Sequence, residues 1–263
     1  MANIKDIKAR EILDSRGNPT IECDIIFSDN SFGRAAVPSG ASTGMHEAIE
    51  LRDKDFNRYK GKGVQKAIGN ILNTVKPKVL NKEFSNFKDF DNEIIKIDGT
   101  NNKSKLGANS TLALSLAFSR ALATQTNENL FEFLSQDKNY VLPVPMINII
   151  NGGSHAENNL DIQEFMIAPV GAPCFSEAIR YGSEIFYSLK SKLKQNGYNT
   201  NIGDEGGFAP DINSSKKVIE LILDAIETSG FQLNKDIKLS LDIASTEFFH
   251  DNKYHLKGEN KVC

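Results

Sequence analysis

The chain has 263 residues, 40% of them hydrophobic and 25% charged, with a formal net charge of −3. That is enough for two modest globular domains or one large one, and the absence of a basic excess argues against a general nucleic-acid binder. Three widely spaced cysteines, Cys23, Cys174 and Cys263, form no CxxC, which argues against a disulfide framework or a zinc ribbon and fits a reducing cytosol. The N-terminal segment Met1–Lys5 lacks the apolar run of a signal peptide, and no run approaches the roughly 20 apolar residues that cross a bilayer.

In chain order, residues 4–13 read as a strand, and Asp14-Ser15-Arg16-Gly17-Asn18-Pro19 is a dense turn signal. Ile21, Cys23, Ile25 and Phe27 alternate along a second strand, and 32–37 forms a third, so the opening is an antiparallel meander. The small residues of Pro38-Ser39-Gly40-Ala41-Ser42-Thr43-Gly44 allow a flexible loop with close backbone approach; the Gly-Lys-Ser/Thr ending of a phosphate-binding P-loop is absent. Helical patterns follow over 64–79, with Pro77 marking its end, over 87–97, and over 108–126, with Asn109 or Ser110 as N-cap and Leu112, Leu116 and Ala117 as core. A short helix fits 130–134. Residues 1–138 thus form an α+β domain, and Val141-Leu142-Pro143-Val144-Pro145 begins a second, 139–263. Its order is strand, strand, helix (176–195), a glycine-rich loop, helix (214–228), strand (237–243) and a hairpin over 248–256.

The second domain carries the chemistry. Ile147–Ile150 is a β-branched strand that stops at Asn151-Gly152-Gly153, followed by His155 and by a strand over 160–167 that is interrupted by Gln163 and Glu164. A carboxylate inside an apolar strand is costly unless something pairs it. Asp204-Glu205-Gly206-Gly207 sets two carboxylates on a loop that lets backbone approach a ligand, and Asp242 ends an apolar strand, where barrel enzymes place reacting groups. Hard carboxylates favour Mg²⁺ over zinc, and carboxyls at different depths suit general acid–base work, one kept protonated by its neighbours. Each residue also has a bland reading: Asp242 as a helix cap, Glu205 as a turn carboxylate, His155 as a backbone-bonded loop histidine.

The motifs Asp14–Thr20, Val37–Gly44, Asn151–Ala156, Gln163–Met166, Gly203–Gly207 and Leu241-Asp242, in that order, resemble the enolase (phosphopyruvate hydratase) family of bacterial type. The resemblance implies an α+β N-terminal domain of antiparallel meander plus helices, then the first part of an enolase-type α/β barrel. It implies a lyase of glycolysis that interconverts 2-phosphoglycerate and phosphoenolpyruvate with two Mg²⁺ ions. Glu205 matches the general acid and Glu164 its acidic, substrate-contacting neighbour. Asp242 matches a ligand of the first Mg²⁺; Ser42 matches the mobile loop that closes on substrate and helps hold the second. His155 and Gln163 match substrate contacts. A cytoplasmic homodimer is implied, with Arg10 and Glu22 at interface positions; a cell-surface or secreted pool also occurs in the family.

About 120 residues follow Leu142, room for about three of the barrel's eight strands, so the barrel is expected to be incomplete. No lysine matches the family's base motif. The isolated chain is accordingly expected to be inactive, and the alternative to an enolase is a non-catalytic remnant that acts as a binding or interaction module.

Overall fold

The computed structural model describes residues 2–40, 42–135 and 139–263. The chain divides into two compact units, residues 1–40 with 46–140, and residues 41–45 with 141–263.

In the first unit, strands β1 (Ala2–Leu13), β2 (Pro19–Phe27), β3 (Phe32–Ala36) and β4 (Glu83–Phe84) form a sheet of order β3-β2-β1-β4, antiparallel throughout. The first turn is closed by Asp14, whose carboxylate accepts the backbone N–H groups of Arg16 and Asn18. Ile21, Cys23, Ile25 and Phe27 point into the core, as the period of two requires. Asp24 is buried among charges instead: it accepts from Arg10 at 2.7 Å and from Arg34 at 2.7 Å, while Arg10 also donates to Glu22 at 2.6 Å. Burial pulls the Asp24 carboxyl upward, but the hydrogen bonds from Arg34 and Arg10 prevail and hold it below the usual carboxylate range. Arg10 and Glu22 therefore serve this sheet as a cross-strand pair.

Helices α1 (Gln65–Gly69) and α2 (Lys76–Val79) are joined by a π-helical turn over Asn70–Val75, where sequence periodicity suggests one regular helix. The helical run ends at Val79, the expected bound, with Pro77 in its last stretch. Helices α3 (Phe87–Asp98), α4 (Ala108–Thr126) and α5 (Leu130–Leu134) follow. The N-cap of α4 is Gly107, not Asn109 or Ser110; Asn109 instead clamps Leu51, accepting its N–H and donating to its carbonyl. Ala117 is buried and Leu116 partly so, but Leu112 is 40% exposed, on the outer edge of the helix stripe. Helix α4 can lie directly on β3 because Gly33 has no side chain: a Cβ there would overlap the backbone of Ala117 and Ala121.

In the second unit, β5 (Ile147–Asn151), β6 (Glu164–Ala168) and β7 (Lys238–Asp242) form a sheet of order β5-β6-β7 in which β6 runs antiparallel to both neighbours. It is the curled, incomplete part of a barrel. Helices α6 (Phe175–Gln195) and α7 (Ser215–Thr228) cover it, burying Ile185, Leu189 and Ile222 with Ile149, Phe165 and Ile167. The apolar spacing 185, 189, 193 on α6 and 218, 222, 226 on α7 is that of one helix face. The expected strand over 160–167 begins only at Glu164. Leu160 and Gln163 instead accept backbone bonds from Gly153 and Gly152, which hold the segment as a loop against the strand stop. A hairpin of β8 (Phe249–His250) and β9 (Lys253–Leu256), extended by β10 (Lys261–Val262), closes the unit. Asp251 and Asn252 both take positive φ, as a two-residue hairpin turn demands.

Candidate functional site

The reversed direction of β6 assembles the site. Its first residue, Glu164, sits opposite Asn151, the last residue of β5, and opposite Asp242, the last residue of β7. One sheet end thus collects residues nearly a hundred positions apart. The backbone of the Gly203–Gly207 loop seals this end: Asp204 N–H donates to the His155 carbonyl at 3.0 Å, and Phe208 bonds Ile149 and Asn151 through its N–H and carbonyl. Gly203 permits the approach, since a Cβ there would lie 2.7 Å from the His155 carbonyl oxygen.

His155 is buried, with Nδ1 3.3 Å from Glu164 and Nε2 3.9 Å from Glu205. One ligand atom from each of these three residues falls within a span of 4.8 Å. Gln163 is buried and donates through Nε2 to Asp242 at 3.3 Å, while the other Asp242 oxygen accepts the Ala244 N–H at 3.0 Å. The Gln163 side-chain amide oxygen Oε1 and His155 Nδ1 are buried without hydrogen-bond partners among the described residues, so both can still engage a ligand.

The carboxylates lie at different depths, Glu164 with 12% and Glu205 with 52% of its side chain exposed. Burial, the hydrogen bond with Glu205 and the negative charges of Glu205 and Asp242 push Glu164 up to about 7. No cation is among the groups acting on it. The retained proton therefore sits on the deeper carboxyl and faces the shallower one. The donor set is oxygen-rich and negative with no internal counter-ion, which fits a hard divalent cation.

Next to Ser42, the Thr43 N–H donates to Glu247 at 3.3 Å, beyond β7. Three asparagines to which the sequence reading gave no role in the site, Asn148, Asn151 and Asn158, brace this sheet end. Asn151 is fully buried; its carbonyl accepts from Asn158, its side-chain oxygen accepts from Asn148, and Asn158 also donates to the Pro210 carbonyl at 3.1 Å. A polar residue at the end of an apolar strand was the available signal.

Ala244, two residues past Asp242, has φ 48° and ψ 45°, the left-handed conformation that costs a non-glycine residue about 1–2 kcal/mol. Part of that cost is offset by the N–H it presents to Asp242. Ala244→Gly should keep this bond and raise stability by up to about 1 kcal/mol, net of glycine's larger unfolded-state entropy. Urea unfolding measures this, and a loss of stability would contradict the strain.

Residues 4–134 match the family model described as the enolase N-terminal domain, and residues 139–263 match that of the enolase C-terminal TIM barrel domain. Among the described residues, no helix is long and apolar enough to cross a membrane.

Proposed function

Since this chain belongs to the enolase family, we propose that its site is that of a phosphopyruvate hydratase, built for the Mg²⁺-dependent interconversion of 2-phosphoglycerate and phosphoenolpyruvate. The observation that carries this reading is the convergence of His155, Glu164 and Glu205 beside Asp242 at one sheet end. Asp242 would hold Mg²⁺, and Ser42 would add a ligand on loop closure. The ions supply positive charge against the enolate formed when a carboxylate's neighbouring carbon loses its proton.

The chain's own residues supply the acid side. Glu164 holds a proton near neutrality and passes it across their shared hydrogen bond to Glu205, the exposed carboxyl, which delivers it to the departing hydroxyl. His155 and Gln163 offer buried polar atoms to orient substrate. No lysine of this sequence matches the family's base motif, and we expect no turnover by the isolated chain.

Calorimetric titration of Mg²⁺, then of 2-phosphoglycerate, tests the reading. Mg²⁺ should bind and be required for 2-phosphoglycerate to bind, and Asp242→Asn should weaken Mg²⁺ about tenfold or more. An unchanged Mg²⁺ titration would remove Asp242 from the metal site. A folded chain that binds neither ligand would favour the second reading, a non-catalytic binding module. That reading draws on the outer edge of β7, unpaired among the described residues, beside the half-exposed Leu241 and Ile243.

A further inference from the structure

We propose that the groove between α3 and α4 of the first unit binds a small organic amine as its ammonium ion, with Asp91 as the counter-ion, independently of the carboxylate cluster in the second unit. Helical spacing builds the groove where the two helices pack. Asp91, Ile94 and Ile95 lie at i, i+3 and i+4 on α3, so they share one helix face. Ala108, Thr111, Leu112 and Ser115 lie at i, i+3, i+4 and i+7 on α4 and share another. Alanine, threonine and serine are short, and a hollow of about 280 Å³ stays open between the two faces. That volume lies just below the roughly 300–1,000 Å³ of ordinary ligand sites, which restricts the occupant to a small molecule.

The groove offers apolar walls and one charge. Ile95 and Leu112 line it and are half-exposed, although the spacing of α4 marks Leu112 as core; a ligand with an apolar body would cover both. The Thr111 hydroxyl is already satisfied, since it donates to the Ala108 carbonyl at 3.0 Å. Asp91 is not: its Oδ1 is buried and has no hydrogen-bond partner among the described residues. Such an oxygen is costly to leave unused, and an ammonium N–H supplies both the missing bond and the missing charge. Burial raises the Asp91 carboxyl above its ordinary value, and the Ser115 hydroxyl counters this; no cation is among the groups acting on it. Lys103 also lines the groove, but it is not one of those groups, so the counter-charge is left to a ligand. An anion would meet the carboxylate unshielded, and a neutral hydrocarbon would leave Oδ1 without a donor. The groove therefore selects a cation on an apolar stem.

The test titrates benzylammonium into the full 263-residue chain and follows the Ile95 and Leu112 methyl resonances, which report on this groove and not on the second unit. Their shifts should saturate with a Kd of about 1 mM, ordinary for so few ligand atoms. Benzyl alcohol, which keeps the ring without the charge, should bind about tenfold more weakly or worse, and phenylacetate should not bind. Asp91→Asn, which keeps the shape without the charge, should weaken benzylammonium about tenfold or more, and Ser115→Leu, which fills the hollow, should abolish its binding. Circular dichroism confirms that each variant folds, and the comparison of the three probes on the parent needs no variant. No saturable shift of the two methyls, equal affinity for benzyl alcohol and benzylammonium, or unchanged affinity in folded Asp91→Asn would each overturn the proposal.

Discussion

Glu205→Gln should resist urea better than the parent at pH 8 and no better at pH 4. The reason is the proton balance of Glu164, whose carboxyl stands at about 7 in the fold against an ordinary 4.5. Below pH 4.5 the folded and unfolded chains both hold the proton, and the group contributes nothing. Between pH 4.5 and 7 the unfolded chain releases it and the folded chain does not, so stability falls as pH rises; above 7 the full penalty persists. A displacement of this size corresponds to about 3 kcal/mol at most. Burial is the first cause and stays in the variant, but the second and third, the hydrogen bond and charge of Glu205, are removed or neutralised. We expect a gain of about 1–2 kcal/mol at pH 8, together with a downward move of the Glu164 titration followed by carboxyl NMR. Mg²⁺ added to the parent at pH 8 should recover part of the same energy by binding the folded state alone. Equal urea midpoints at pH 8 would show that the two carboxyls do not share a proton.

Phe118→Ala should be the most damaging of these substitutions to the first unit. The Phe118 ring stacks on Phe90 at 4.1 Å and 12°, and meets Phe27 and Phe84 edge-on at 5.3 and 5.7 Å. It is a fully buried residue of α4, so truncation removes apolar contact and leaves a cavity among three other rings. The expected cost is about 3–5 kcal/mol, a large share of the roughly 5–15 kcal/mol that holds a domain together. Phe118→Leu should recover most of it. A loss under 1 kcal/mol in Phe118→Ala would mean that the aromatic cluster is not the centre of this core.

The regular parts of the fold were legible because their patterns are local. The alternation of Ile21, Cys23, Ile25 and Phe27 marks β2 by its period of two. The apolar face of α4 sets that helix by its spacing, and the structure keeps its bounds at Ala108–Thr126. Misreadings fell where a distant partner overrides local preference. Asn109 looked like a cap because caps are short polar residues before an apolar run; Leu51, far along the chain, claims its side chain instead. Gln163 and its neighbours looked like strand because the run is apolar, yet Gly152 and Gly153 take their carbonyls. The pairing of β4 with β1 left no trace in a two-residue strand.

By itself the sequence determined the family, whose matches span residues 4–134 and 139–263, and named the candidate site residues in the Asn151–Ala156, Gln163–Met166 and Gly203–Gly207 motifs. Tertiary structure alone decided how those residues meet. The antiparallel run of β6 brings Glu164 level with Asp242 and beside His155, and strand direction is set by long-range pairing that no short stretch encodes. Tertiary structure alone also decided where the proton rests. Two glutamates are chemically alike in sequence, and only their depth, 12% against 52% exposed, assigns the proton to Glu164, because ionisation costs most where water is excluded.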